Sequence, residues 1–113
     1  MKIGELAERT GLSRDTIRFY ERNTLIVSEP SESGTNSYRN YPEHLVEQLH
    51  FINQGREAGM SVADLQDIFQ ALQGSCDMEK GRLVIQDKIK DLENNIVQTE
   101  KVIQFLKNAV STL

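Results

Sequence analysis

From Ile85 onward, apolar residues recur at alternating steps of four and three: Ile85, Ile89, Leu92, Ile96, Thr99, Ile103, Leu106 and Val110, with Thr99 the one polar member. Neither Gly nor Pro follows Gly81. Residues at these steps line one face of an α-helix, and a stripe sustained over several heptads is the seam of a coiled coil. A helix of ~30 residues is ~45 Å long, more than a small domain needs for its own core. The stripe therefore predicts pairing with the same helix of a second copy, with Ile85, Ile89, Leu92, Ile96, Ile103 and Leu106 as the dimer seam. Composition points the same way. With 113 residues, 38% hydrophobic and 6% aromatic, the chain is lean for a compact monomer and suits an elongated helical protein.

The start of the chain carries a different pattern. Ile3, Leu6 and Ala7 give a short helix an apolar side, and Gly11 suits its C-terminal turn. Ser13 is a good N-cap for a second helix running to about Arg22, with Ile17, Phe19 and Tyr20 supplying apolar surface. Two helices joined by so short a turn form a helix-turn-helix. Leu25-Ile26-Val27 predicts a short strand, residues 28–37 an exposed loop of turn formers, and Tyr38-Arg39-Asn40-Tyr41 a returning strand, which together make a wing. Pro42 opens a third helix with Leu45, Val46, Leu49 and Ile52 on its apolar face, Phe51 flanking and Gly59 past its end. Ser61, with Asp64 three residues on, caps a fourth whose stripe is Val62, Leu65, Ile68, Phe69 and Leu72. The predicted organisation is a DNA-binding unit with linking helices over 1–72, a hinge carrying Cys76 over 73–80 and a dimerisation helix over 81–113.

The net charge of −4 argues mildly against a nucleic-acid partner, so local distribution has to decide. Arg14, Arg18 and Arg22 fall at i, i+4 and i+8 of the second helix and share one face. Asp15 and Thr16 sit near that helix's N-terminus, where recognition helices meet base edges. A local arginine stripe serves phosphate neutralisation whatever the charge of the whole chain. The same spacing also suits a solvated face with Asp15 and Glu21 as counterions; the preceding helix, the turn and the hairpin weigh for DNA. No acid, base or nucleophile constellation points to an enzyme. No apolar stretch approaches the ~20 residues that span a bilayer, so no membrane is expected. Met1-Lys2-Ile3 runs directly into a polar helical pattern, and the lone cysteine cannot form an intrachain disulfide, so a cytoplasmic location is expected.

The run Ile3-Gly4-Glu5-Leu6-Ala7, Gly11-Leu12-Ser13, Thr16-Ile17-Arg18-Phe19-Tyr20-Glu21 resembles the N-terminal motif of the MerR family of bacterial transcription regulators. Tyr38-Arg39-Asn40-Tyr41 resembles that family's wing motif, and Phe51-Ile52, Gly59-Met60-Ser61 and Asp64-Leu65 resemble its linking helices. The resemblance implies a mainly α fold: a winged helix-turn-helix, linking helices and a long antiparallel coiled-coil dimerisation helix. It implies a homodimer on pseudo-palindromic double-stranded promoter DNA, with RNA polymerase as a further partner and control by bending and untwisting the DNA. It places DNA contacts on Thr16, Arg18 and Tyr20 of the recognition helix and Arg39 of the wing; Arg14 and Tyr38 are candidate phosphate contacts, and Tyr41 is read as packing. Two departures stand out: Glu32 lies in a slightly long wing loop where a basic residue is common, and Ser37 replaces a usual Gly.

The resemblance is nearest to the zinc-, cadmium- and lead-sensing members, in which a cysteine placed like Cys76 helps bind the metal across the dimer. Those members carry a further cysteine pair after the long helix, and this sequence, running to Leu113, has none. A single thiol does not make a tight soft-metal site, and His44 and His50, six apart, do not share a helix face. Three readings of Cys76 stay open: the relic of a site for a divalent soft metal ion whose other ligands this chain lacks, a reactive sensor thiol, or a small buried hydrophobe. The alternative function is a dimerisation or anti-regulator module with weak DNA affinity and no effector.

Overall fold

The structure, a computed structural model, describes residues 1–31, 39–74 and 77–113. Its helices are α1 (Ile3–Thr10), α2 (Arg14–Arg22), α3 (Leu45–Glu57), α4 (Val62–Leu72) and α5 (Met78–Ser111). The chain divides into two compact units, residues 1–69 and 70–113.

Local chemistry sets the helix-turn-helix. Gly11 takes the left-handed conformation (φ 74°) and returns its N–H to the Ala7 carbonyl, closing α1. Ser13, in extended backbone, accepts the Thr16 N–H at 3.1 Å and opens α2. The two helices bury Leu6, Ile17 and Tyr20 against each other and α3. Tyr20 lies three residues after Ile17 and so on the same face, whereas Phe19 turns outward and is 41% exposed. Leu25, Ile26, Leu45, Leu49, Ile52 and Leu65 complete the core of this unit. Each such side chain contributes about 1.5–3 kcal/mol of burial free energy.

The segment after α2 departs from the sequence expectation. No strand forms over 25–27. Thr24 adopts a left-handed φ of 59°, and the Leu25 N–H bonds back to the Tyr20 carbonyl at 3.0 Å. The Leu25 carbonyl accepts from Gln48 Nε2 of α3 at 2.7 Å. With both polar backbone groups of Leu25 so used, it has none to offer a ladder. Pairing among the described residues shrinks to one antiparallel bridge between Glu29 and Asn40, with N···O distances of 2.7 and 2.8 Å. Tyr38, the first residue of the predicted returning strand, lies outside the described residues, as do Glu32 and Ser37. The base of the wing is held from below: Tyr41 N–H donates to the Met1 carbonyl at 2.7 Å, and the Met1 amino group donates to the Tyr41 carbonyl at 2.9 Å. Arg9 of α1 forks onto the Glu43 carboxylate, which that hydrogen bonding holds below its usual pKa range.

α3 begins at Leu45, after a turn in which the Leu45 N–H reaches the Pro42 carbonyl at 3.1 Å. Gly59, at φ 93°, reverses the chain past its end. Ser61 and Asp64 then cap reciprocally: Asp64 Oδ2 accepts the Ser61 N–H and Ser61 Oγ accepts the Asp64 N–H, each at 3.0 Å. α3 and α4 approach closely at Gly55, where an added Cβ would sit 3.0 Å from Leu65 Cδ2. Phe51 and Phe69 pack edge to face at 5.9 Å. Leu72, predicted to close the α4 stripe, is exposed.

In the second unit α5 runs for 34 residues, about 51 Å at 1.5 Å per residue. It starts at Met78, inside the predicted hinge, with Asp77 capping the Glu79 N–H. Gly81 marks a close approach: an added Cβ would meet the Ala71 carbonyl oxygen at 3.3 Å. Along the predicted seam Ile85 and Leu92 are half-buried, and Ile89, Ile96, Ile103, Leu106 and Val110 are exposed. No helix of the described residues is long and apolar enough to cross a membrane.

Candidate DNA interface

α2 presents two chemically distinct faces. Ile17 and Tyr20 are buried; Arg14, Arg18 and Arg22 are exposed, and Thr16 is half-buried beside them. Thr16 Oγ1 accepts from Ser13 Oγ at 2.8 Å, so the cap also orients this side chain. Arg18 lies 3.5 Å from the Asp15 carboxylate, and both groups are largely in solvent. An exposed pair of this kind contributes about 0–1 kcal/mol, too little to withhold Arg18 from a phosphate. Arg14 folds over the first turn of α1, where Gly4 leaves it room; an added Cβ at Gly4 would sit 2.7 Å from Arg14 Nη2.

A polar cluster joins the recognition helix to the wing. Glu21 Oε1 accepts from the Tyr41 hydroxyl at 2.8 Å, and Glu21 Oε2 accepts from Ser28 Oγ. Arg39 donates from Nε to Ser28 Oγ and from Nη2 to the Ser28 carbonyl at 3.3 Å, and its Nε lies 3.5 Å from Glu21 Oε2. Ser28 and Tyr41 are each 4% exposed. Burial, then the hydrogen bond to Glu21 and its negative charge, push the Tyr41 phenol up to about 12, while Arg18 and Arg39 pull it back. Both arginines therefore act on one phenol, which places the recognition helix and the wing base side by side.

The Tyr41 shift has a measurable consequence. Its folded value lies above the ordinary value of 10.0, so its stabilising effect is complete below pH 10 and is lost as pH rises towards 12. Tyr41→Phe should remove this part of the alkaline loss of stability. Thermal midpoints of the two proteins measured from pH 8 to 12 should converge at the alkaline end; parallel curves would refute the role of the phenol.

Of the sequence-predicted contacts, Arg14, Thr16 and Arg18 come together on α2, and Arg39 joins them through Glu21 and Ser28. Tyr20 does not: at 5% exposure it packs inside, with its ring 5.7 Å from that of Phe19. Tyr41 packs as read. Tyr38 and Cys76 lie outside the described residues. Four contributors escaped the sequence reading of this site. Glu21 entered it as a counterion and as the end of the N-terminal motif, with no partner assigned, and Ser28 only as a loop residue. Gln48 fixes the Leu25 carbonyl, and Gln66 donates to the Asn23 carbonyl at 2.7 Å, so α3 and α4 both brace the end of the recognition helix. No spacing rule exposes such contacts, because they span from 7 to 43 residues of sequence and none follows a helical or strand repeat. Among the described residues no three His, Cys, Asp or Glu side chains gather as metal ligands.

A capped recognition helix with an arginine face and a wing bound to its flank defines a helix-turn-helix DNA-binding transcription regulator. Comparison places it further. Residues 1–72 match the family model described as MerR HTH family regulatory protein, and residues 46–109 match that described as MerR, DNA binding. The chain belongs to the MerR family. It is 35% identical over 112 residues to a probable heavy metal-dependent transcriptional regulator of Haemophilus influenzae, covering 96% of this chain and 84% of that one. A crystal structure of a putative MerR family transcriptional regulator from Listeria monocytogenes superposes with a TM-score of 0.82 at 27% identity, covering 97% of this chain and 83% of that one. HiNmlR, a MerR family regulator lacking the sensor domain and crystallised on promoter DNA, shares the fold with a TM-score of 0.76 at 20% identity, over 98% of this chain and 89% of that one.

Proposed function

We propose that this protein is a homodimer that binds pseudo-palindromic promoter DNA through α2 and the wing and controls transcription by distorting that DNA in the presence of RNA polymerase in the cytoplasm. The observation that carries the reading is the joining of Arg39 to the exposed arginine face of α2 through Glu21 and Ser28. Arg14, Thr16, Arg18 and Arg39 are the assigned DNA contacts, with Tyr38 as a phosphate contact. The fold shared with a regulator crystallised on promoter DNA supports the partner. The exposed stripe from Ile89 to Val110 supports the dimer, since so many apolar side chains on one helix face call for a cover. For a signal the reading names Cys76, by a soft divalent metal ion or an oxidant at its thiol, supported by a relative described as heavy metal-dependent. Added mercury(II), zinc or peroxide should then change DNA affinity and consume the thiol; indifference to all three would remove Cys76 as a sensor.

The test of the main reading is a binding titration over salt concentration on duplexes that the protein enriches from a random-sequence library. The logarithm of the affinity should fall linearly with that of salt, with a slope of about −0.9 per phosphate contact. The net charge of −4 favours one competing reading, a dimerisation module with weak DNA affinity. Binding without salt dependence, or none, would favour that module.

A further inference from the structure

We propose that Glu21 is the positioning residue of the DNA-reading unit: its carboxylate fixes the Arg39 guanidinium of the wing beside the recognition helix, so that Arg18 and Arg39 of one copy meet the same stretch of DNA backbone. The inference rests on the DNA-binding reading above and assigns the residue that makes one interface out of two elements.

The argument begins with the carboxylate itself. An exposed glutamate on a helix swings freely and would hold an arginine loosely. Glu21 is not in that situation, since its side chain is 24% exposed and both its oxygens are occupied. Tyr41, at the foot of the wing, fixes Oε1 from 20 residues away, and Ser28, after the recognition helix, fixes Oε2. Both partners are buried, so the carboxylate is held from the core side. Arg39 then meets three acceptors in fixed positions, Ser28 Oγ, the Ser28 carbonyl and Glu21 Oε2. Its side chain is still 46% exposed, which leaves guanidinium surface for a ligand outside the cluster. A long side chain ordered before binding loses less rotamer freedom when it meets a phosphate, so the arrangement favours affinity although Glu21 bears the same sign of charge as DNA. The one backbone bridge, Glu29 with Asn40, closes the wing on itself and the contacts at Met1 hold its foot, so the Glu21 cluster is what ties Arg39 to α2.

Two measurements test this with the full-length protein. The first needs no DNA. In NMR of the free protein the Arg39 Nε–H should exchange slowly and rotate slowly compared with exposed Arg14, and both properties should vanish in Glu21→Gln; an Arg39 as mobile as Arg14 in the wild type overturns the proposal. The second uses the library-enriched duplexes. Glu21→Gln should weaken binding by about tenfold, the size of one charge-assisted contact. In an Arg39→Gln background the same change should alter affinity less than about twofold, because positioning has nothing left to position. A helix merely weakened by the change would lose affinity in both backgrounds. Should Glu21→Gln fail to fold, Tyr41→Phe removes only the hydroxyl that fixes Oε1 and should weaken binding by a smaller factor through Arg39. Equal or tighter binding by the folded Glu21→Gln protein overturns the proposal, showing Glu21 to be a competitor of the phosphate. Salt-independent binding by the wild type would instead defeat the DNA reading, with the NMR result still deciding whether Glu21 fixes Arg39.

Discussion

Arg18→Ala is expected to reduce promoter affinity by roughly ten- to hundred-fold and to leave the dimer and its thermal stability unchanged. The side chain is half in solvent and touches Asp15 at 3.5 Å, so its loss removes no core contact. Three features make it the most sensitive of the arginines on α2. It lies mid-helix, between Arg14 and Arg22. It acts on the Tyr41 phenol together with Arg39, so it stands at the junction with the wing. Its removal also leaves Asp15 uncompensated near the DNA, adding repulsion to the lost attraction. Each copy should forfeit one phosphate contact, so the salt slope for the dimer should become shallower by about two contacts' worth. The titration on library-enriched duplexes reads both quantities; wild-type affinity with a wild-type slope would refute the assignment of Arg18.

Residues whose partners are close in sequence were legible, and residues whose partners are distant were not. Gly11, Ser13 and the Ser61–Asp64 pair act on backbone groups within four residues, so residue type and offset were enough to place them. The α5 stripe was equally legible, because helical periodicity is a property of one segment. The first strand of the wing was misread because strand propensity in Leu25-Ile26-Val27 competes with a tertiary demand: the end of α2 takes the Leu25 N–H and Gln48 takes its carbonyl. Gly81 misled in the opposite direction. The dimerisation helix was expected from residue 81, yet α5 begins at Met78 and takes in Gly81, whose missing side chain admits the Ala71 carbonyl. At the interface, choosing between Phe19 and Tyr20 needed the rotation of α2 about its axis, and that is fixed by Ile17 entering the core. The Glu21 cluster was invisible for a further reason: three of its members are ordinary polar residues whose partnership exists only after the wing has folded back.

Ile96→Asp is expected to dissociate the proposed dimer and, with it, to abolish high-affinity binding. Ile96 is 58% exposed in a single chain and lies centrally in the predicted seam. A second copy laid along α5 would bury it among Leu92, Ile103 and their counterparts, where a carboxylate meets no cation and loses its hydration. An unpaired charge placed in such a seam costs about 3–5 kcal/mol, enough to raise the dissociation constant a hundred-fold or more. A monomer-specific defect is distinguishable from misfolding: the DNA-binding unit spans residues 1–69 and does not include position 96, so its own cooperative unfolding should persist. Ile96→Val, which keeps the seam apolar, should retain the dimer. Sedimentation should report half the mass for Ile96→Asp at micromolar concentration, and an unchanged mass would count against the seam. The DNA result then follows from geometry. On the proposed function one α2 reads one half-site, and two half-sites bind tightly only when their readers are joined, because the second contact is made at the high effective concentration set by the first. The affinity lost by Ile96→Asp should therefore reappear on raising protein concentration, whereas the affinity lost by Arg18→Ala should persist in the assembled dimer.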